Sequence, residues 1–268
     1  MKLSFSTLGT PHYDIDQTIA IAQENGYQGV EIRAMRGTVD LVSLPEFTSD
    51  LAVTNNKYKA AGINVVCIGT HVKFCDAGKA NQDAMLDAAR VNLEIAQGLD
   101  AGVLRIFAGP VPHLQGYLET VKWIREGHAR LVELCKKYNV TPCLETHDDF
   151  SNSPRVLEVI EGIDGMGVVW DIVHPFRFGE TMAQTYAALG KYIKHVHVKD
   201  SKDYSPYHAD CPLNGNGTIP IAEACNLLKD GGYNGYLSFE WEKLWHPEIE
   251  EPEVAIPHYA EYMRNILQ

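Results

Sequence analysis

The feature that most constrains this chain is a strict alternation of short apolar runs with stretches whose apolar residues recur at helical spacing. Leu3–Thr7, Gly29–Arg33, Ile63–Gly69, Val103–Phe107, Val140–Glu145, Gly167–Asp171, Ile193–Val198 and Tyr236–Trp241 read as strands. Asp14–Asn25, Leu44–Ala61, Asn81–Gln97, Leu118–Tyr138, Pro154–Ile160, Met182–Leu189, Ile219–Leu228 and Glu253–Leu267 read as the helices that follow them. Such alternation implies a parallel sheet with right-handed crossovers. The eight units fill 268 residues with no Pro/Gly/Ser linker between them. They predict one α/β domain spanning residues 1–268, a (β/α)₈ TIM barrel, which takes about 250 residues. A doubly wound open sheet is the alternative. The first strand–helix turn, Gly9-Thr10-Pro11-His12, lacks the glycine pattern of a dinucleotide fold and disfavours it.

Four of the strand runs end in ionisable residues. They contain Leu144-Glu145-Thr146-His147, Trp170-Asp171-Ile172-Val173-His174, His195-Val196-His197-Val198-Lys199-Asp200 and Leu237-Ser238-Phe239-Glu240-Trp241-Glu242. Residues two apart on a strand share a face, so Glu145 pairs with His147 and His195 with His197. In a parallel barrel Glu145, Asp171, His197 and Glu240 converge at the carboxyl ends of the strands, where such barrels place their chemistry. Steps of 26 residues separate Glu145, Asp171 and His197, so neighbouring strands offer one donor apiece at similar height. Three carboxylates and an imidazole in one place repel unless a cation sits among them. The set is rich in oxygen with one nitrogen, which suits Mn²⁺, Mg²⁺ or Co²⁺ with positions left for substrate oxygens. Zinc is a further option, though it favours more nitrogen or sulfur.

Charge narrows the partners. Lys and Arg total 23 against 35 Asp and Glu, a net charge of -12, which argues against nucleic acid or anionic membrane. The six cysteines form no C-x-x-C pair and no zinc-finger spacing, as expected for idle thiols in a reducing compartment. Met1-Lys2 runs straight into the first strand without a signal-peptide core, and no apolar run reaches the roughly 20 residues of a membrane span. A soluble cytoplasmic protein is expected.

With these motifs, and with Gly215-Asn216-Gly217-Thr218-Ile219 and Gly235-Tyr236-Leu237-Ser238-Phe239-Glu240, the chain resembles the xylose isomerase-like barrel superfamily of sugar phosphate isomerases and epimerases. The resemblance implies metal ligands at Glu145, Asp171, His197 and Glu240, and a substrate contact at His174. It also implies catalytic roles for Glu145 and Glu240 on opposite faces of a sugar, and a dimer or tetramer. The reaction it implies is loss of a proton beside a carbonyl, through an enediolate that the metal stabilises. Proton return to the other face epimerises, return to the neighbouring carbon isomerises, and loss of a hydroxyl makes the enzyme a lyase acting on an inosose or 3-keto sugar. An endonuclease of the same barrel family would need more ligands and a basic surface. One departure stands out: ketose 3-epimerases carry an arginine six residues past the H-x-H ligand, where this chain has Asp203.

Further residues are assigned by position. His147 shares the face of Glu145 and is a candidate for substrate contact or packing. His195, one step deeper, is expected to orient its neighbour rather than bind metal. Lys199 follows at the rim, solvated or polarising a substrate oxygen. Arg33, His71 and Arg105 end strands two to four and are candidates for hydroxyls or a carboxylate, or for rim ion pairs. Trp245 and His246 lie in the last loop, where an aromatic can stack on a sugar or pack as a lid; Glu242 is a pocket or loop residue, and Trp241 points outward. Gly215-Asn216-Gly217 precedes a helix where such barrels can bind phosphate, with Asp210 nearby opposing an anion. The acidic stretch from Trp245 to Pro252 is expected to close over substrate or join a subunit interface.

Overall fold

The structure is a computed structural model, and it describes all residues except 203–209. Eight parallel strands form a closed barrel in sequence order. They are β1 (Lys2–Ser6), β2 (Gly29–Ile32), β3 (Asn64–Lys73), β4 (Val103–Phe107), β5 (Thr141–Glu145), β6 (Gly167–Asp171), β7 (Ile193–Val198) and β8 (Tyr236–Phe239). Closure is made by β1 on β8, with Lys2 beside Tyr236 and Phe5 beside Phe239. The TIM barrel read from the alternation is what forms, and the open sheet is excluded.

The outer helices are α1 (Ile15–Glu24), α2 (Leu51–Ala61), α3 (Lys79–Gly98), α4 (Tyr117–Cys135), α5 (Ser153–Ile160), α6 (Val173–Arg177), α7 (Met182–Leu189), α8 (Ile221–Asp230) and α9 (Pro252–Leu267). Local chemistry sets several ends. Asp14 caps α1 and Thr181 caps α7, each in a reciprocal capping box with a glutamine three residues on. The helix expected over Leu44–Ala61 is broken: Leu41–Ser43 and Pro45–Phe47 make short 3₁₀ turns, and α2 starts only at Leu51. Pro45 tolerates the first turn of a helix, yet Thr48 at φ -129° and ψ -96° leaves helical geometry and ends that turn. The strand expected over Ile63–Gly69 runs on to Lys73, and the short α6 after β6 has no counterpart in the sequence reading.

Alternation along the strands divides two interiors. Leu104, Ile106, Leu144, Trp170, Val196 and Phe239 pack outward in the large core between barrel and helices. Val103, Cys67, Cys143 and Val169 form a small apolar plug inside the lower barrel. Above the plug the inward positions turn polar: Glu31, Arg105, Glu145, Asp171, His195, His197 and Ser238 are all buried. All six cysteines are free thiols.

Candidate active site

The polar upper barrel gathers side chains from nearly every strand. Glu145 ends β5, Asp171 ends β6, His197 lies in β7, and Glu240 follows β8. One donor atom from each lies within 4.8 Å of the others, and all four residues are buried. A register shift between Val168 and Val169 aligns Asp171 with His197 across β6 and β7. Thr146 pins the end of β6, since its hydroxyl accepts from the Asp171 amide at 3.0 Å and donates to the Asp171 carbonyl at 3.0 Å. The Val173 amide donates to Asp171 Oδ1 at 2.9 Å, which leaves Oδ2 turned to the cluster.

His197 sits at the middle of the charges. Its Nδ1 lies 3.3 Å from Glu145 Oε1 and 3.3 Å from Glu240 Oε1. On its other side Nε2–H donates to Glu31 Oε2 at 2.8 Å, and His195 Nε2–H donates to the same oxygen at 2.9 Å. Burial works against a charged imidazole, but Glu240, Glu31 and Glu145 outweigh it and hold His197 well above its ordinary value. Burial also works against an ionised Glu31, and the two imidazoles outweigh it in turn, so this carboxylate stays far below the usual range.

Lys199 is the largest correction to the rim as expected from sequence. It is buried, not solvated, and its Nζ lies 2.9 Å from Asp171 Oδ2, 2.7 Å from Glu240 Oε2 and 2.5 Å from Glu242 Oε1. Those carboxylates more than offset the desolvation of its ammonium, which is held well above its ordinary value. Glu240 would be raised by burial, but His197 and Lys199 hold it well below the usual carboxylate range. Asp171 keeps more of its burial penalty, eased by Lys199 and worsened by Glu240, and is pushed up to about 6.

The second row of expected residues is placed as follows. Arg105 is buried with Nε 3.2 Å from Glu145 Oε2, and its Nη1 donates to the Thr70 carbonyl at 2.8 Å. His147 lies with its ring 4.8 Å from Phe107 and 4.6 Å from His174, and its Nδ1 is 3.0 Å from Asp148 Oδ1. Burial lowers His147, but Asp148 and Glu145 outweigh it and the net shift is upward. His174 Nε2 is 3.5 Å from Asp171 Oδ2, and burial drives this imidazole well below its ordinary value, so it is neutral. His147 and His174 thus flank Glu145, with a ring nitrogen of each and a Glu145 carboxylate oxygen within 4.8 Å of one another.

The structure leaves other expectations apart from the cluster. Trp245 is half exposed in the loop after β8. Trp241 is buried, stacked on Phe239 at 5.4 Å, with its indole N–H donating to the Glu250 carbonyl at 2.9 Å. Lys243 donates to the Pro247 and Ile249 carbonyls at 2.8 and 2.6 Å, so the acidic tail is fastened to the barrel. The Gly215-Asn216-Gly217 turn holds no room for phosphate, because Asp200 Oδ2 already accepts from the Gly215 and Gly217 amides at 2.8 and 2.9 Å. Asp203, at the position where an arginine is expected for a ketose 3-epimerase, lies outside the described residues. Glu31 is the residue that sequence reasoning missed. The available signal was a carboxylate inside an apolar strand, two positions before Arg33 and therefore on its face.

The cluster fits a divalent cation. Buried Asp171 Oδ2 and Glu145 Oε2 face Lys199 and Arg105 as ion pairs without a hydrogen bond of good geometry, so each carboxylate oxygen keeps acceptor capacity that a cation can use. Cation–oxygen and cation–nitrogen distances are about 2.0–2.2 Å, so donors sharing one ion lie at most about 4.4 Å apart. The four donors lie within 4.8 Å of one another, so at most small side-chain adjustments bring them inside that limit. With Nε2–H held by Glu31, Nδ1 is the ring nitrogen that faces the carboxylates and whose proton a bound cation would displace.

Comparison with known proteins agrees with this architecture. An inosose isomerase of Bacillus velezensis is 25% identical over 263 residues, covering 92% of this chain and 90% of the relative. A fructoselysine 3-epimerase of Escherichia coli O157:H7 is 23% identical, covering 100% of this chain and 98% of the relative. Among solved structures, the IOLI protein with a bound zinc atom superposes with a TM-score of 0.84 at 18% identity, over 100% of this chain and 98% of that one. The profile of the family described as Xylose isomerase-like TIM barrel matches residues 19–266. The chain belongs to the xylose isomerase-like TIM barrel family.

Proposed function

We propose that the protein is a divalent-metal-dependent isomerase or epimerase of a small carbohydrate, which removes and returns a proton beside a carbonyl. The observation that carries this reading is the placement of Glu145 and Glu240 on two sides of His197 Nδ1, each at 3.3 Å. The relatives named as isomerase and 3-epimerase support the same class of reaction. Glu145, Asp171, His197 and Glu240 are the residues that would hold the metal, with Mn²⁺ the proposed occupant and Mg²⁺, Co²⁺ or Zn²⁺ able to replace it. When bound, the cation supplies Lewis-acid polarisation of the substrate carbonyl, which acidifies the neighbouring C–H.

The chain's own residues supply the proton steps. Glu145 and Glu240 act as the two carboxylate proton carriers, one taking a proton and the other able to return it. Lys199, donating to Glu240 at 2.7 Å, keeps that carboxylate ionised and therefore able to act as a base. Neutral His174 and the neighbouring His147 are proposed to hydrogen-bond substrate oxygens from the Glu145 side, with Arg105 behind that carboxylate holding its position. Trp245 is proposed to approach the sugar from the last loop. His195 is proposed to steady Glu31 and through it His197.

Among the described residues no helix is long and apolar enough to cross a membrane. Cytoplasmic operation as a homo-oligomer, without nucleic acid or membrane partners, completes the proposal and accords with the net charge of -12.

The test is proton NMR of the metal-loaded protein in D₂O with ketoses, aldoses, inososes and 3-keto sugars. Deuterium entering a carbon beside the carbonyl, with the sugar inverted or isomerised, is the expected result. Loss of a hydroxyl or aglycone would instead establish a lyase. Absence of exchange with every sugar, free or phosphorylated, would overturn the enzymatic reading.

A further inference from the structure

Beside the carboxylate cluster, between the ends of β2 and β3 and the outer turns of α3, lies a cavity of about 290 Å³. Its lining includes Arg33, Asp40, Thr70, His71, Val91 and Asn92. Arg33 is 8% exposed, and what remains accessible opens into this cavity. Among the described residues no carboxylate lies within ion-pair distance of its guanidinium, and no group hydrogen-bonds it. Burial and the like charge of Arg105 lower it to about 10, with Glu240, Glu31 and Glu145 pulling it partly back, so it is a cation at neutral pH. A buried guanidinium with five donors and no acceptor calls for an anion, and its planar fork matches carboxylate and phosphate oxygens.

The rest of the lining leaves that role to Arg33. The Thr70 hydroxyl is already committed to the Arg105 carbonyl at 2.8 Å, and the Asn92 amide to the Ala88 carbonyl at 2.9 Å. His71 is exposed at the mouth, where a ring N–H can add a second donor. Asp40, also exposed, is the acidic member of the lining among the described residues and disfavours an extended polyanion. The valine and leucine walls suit the uncharged part of a bound molecule.

The cavity and the cluster share one wall. A Cβ at Gly69 would lie 2.8 Å from Arg33 Cδ and 3.0 Å from Arg105 Nη2, so the two arginine side chains meet over bare backbone. Arg105 in turn reaches Glu145 at 3.2 Å. One molecule can therefore lie with a carbonyl at the cluster and a tail over Gly69. The geometry points to a distal subsite in which Arg33, with His71 at the mouth, binds an anionic oxygen group of the substrate, a carboxylate or a phosphate. This deepens the isomerase reading and rests on it for what reacts at the cluster, whereas binding of the anion does not.

The test titrates inorganic phosphate and, separately, acetate into the full chain stripped of metal with a chelator, followed by calorimetry. Saturable binding at millimolar concentration is expected for at least one of them. Phosphate alone assigns a phosphorylated substrate, and acetate alone a carboxylated one. Arg33→Met should weaken that binding about ten-fold or more, the scale of one lost charge-assisted pair. Val91→Glu places a negative charge on an exposed turn of α3 at the cavity edge and should weaken it without burdening the fold. Arg36→Ala removes an exposed arginine already paired with Glu46, and should leave binding intact. No saturable binding of either anion to the wild type, or binding in both cavity variants as tight as in the wild type, would overturn the subsite. Anion binding lost in Arg33→Met without any deuterium exchange in sugars would keep the subsite and sink the isomerase reading instead.

Discussion

Glu31 Oε2 lies 2.8 Å from His197 Nε2, so the imidazole spends one nitrogen on a carboxylate beneath it and turns the other toward Glu145 and Glu240. The tautomer of a ligand is fixed by the bond its far nitrogen makes. His195 shares the same oxygen and Ser238 approaches it at 3.3 Å, so Glu31 is itself held from two strands.

Replacing that carboxylate should therefore act on the metal without touching a ligand. Glu31→Gln is expected to cost roughly 10- to 100-fold in affinity for Mn²⁺, the range found when a ligand's supporting partner is removed. Competition with a fluorescent chelator measures it. Unchanged affinity would mean His197 needs no orientation from below.

Glu145→Gln and Glu240→Gln each remove a charge at the cluster and a proton carrier. Each should lower turnover by at least ~10²-fold, the lower end of what a positioned acid or base supplies. Deuterium exchange into substrate is the readout that separates loss of proton transfer from loss of product release. Near-normal rates in both variants would sink the mechanism.

Lys199→Met leaves Asp171, Glu240 and Glu242 without the ammonium that now lies within 2.9 Å of each. Removing one partner of a buried ion cluster typically destabilises by about 3–5 kcal/mol. The metal-free variant should melt well below the wild type, and Mn²⁺ should recover a larger share of Tm in the variant than in the wild type. Equal melting temperatures without metal would contradict the placement of Lys199.

His128, far from the cluster on α4, predicts an acid sensitivity of the fold itself. It is fully buried, with Nδ1–H donating to the Val159 carbonyl at 2.9 Å, and burial lowers it to about 4 from 6.5. The unfolded chain then binds more protons than the folded one between those values, so stability rises with pH through that window. The contribution is complete above pH 6.5 and fades as pH falls toward 4, a loss on the order of 3 kcal/mol. His128→Gln should flatten the dependence of urea stability over this range. An unchanged slope would show that other groups carry it.

Much of this was legible because strands and helices have different periods. Glu145, Asp171 and His197 stand at matching positions of successive strands, and the two-residue alternation then fixes which face they take. What stayed hidden depends on contacts across the barrel. Lysines are seldom buried, so Lys199 read most simply as solvated until Asp171, Glu240 and Glu242 were seen around it. Glu31 sits in the middle of a four-residue strand, Gly29–Ile32, and its partners are 164 and 166 residues away, beyond the reach of any local pattern. Likewise, the break before α2 comes from backbone geometry at Thr48 rather than from a lost apolar stripe.

The turn closed on Asp200 has a consequence for how this barrel is assembled. Four backbone amides, of Ser201, Gly215, Gly217 and Ile219, converge on one carboxylate that the chain carries itself. A tethered anion binds its nest at an effective concentration in the millimolar range or above and loses no translational freedom in doing so. The nest is thus saturated from within at any level of free phosphate in the surroundings. Its shape is set once, at folding, and answers to no metabolite.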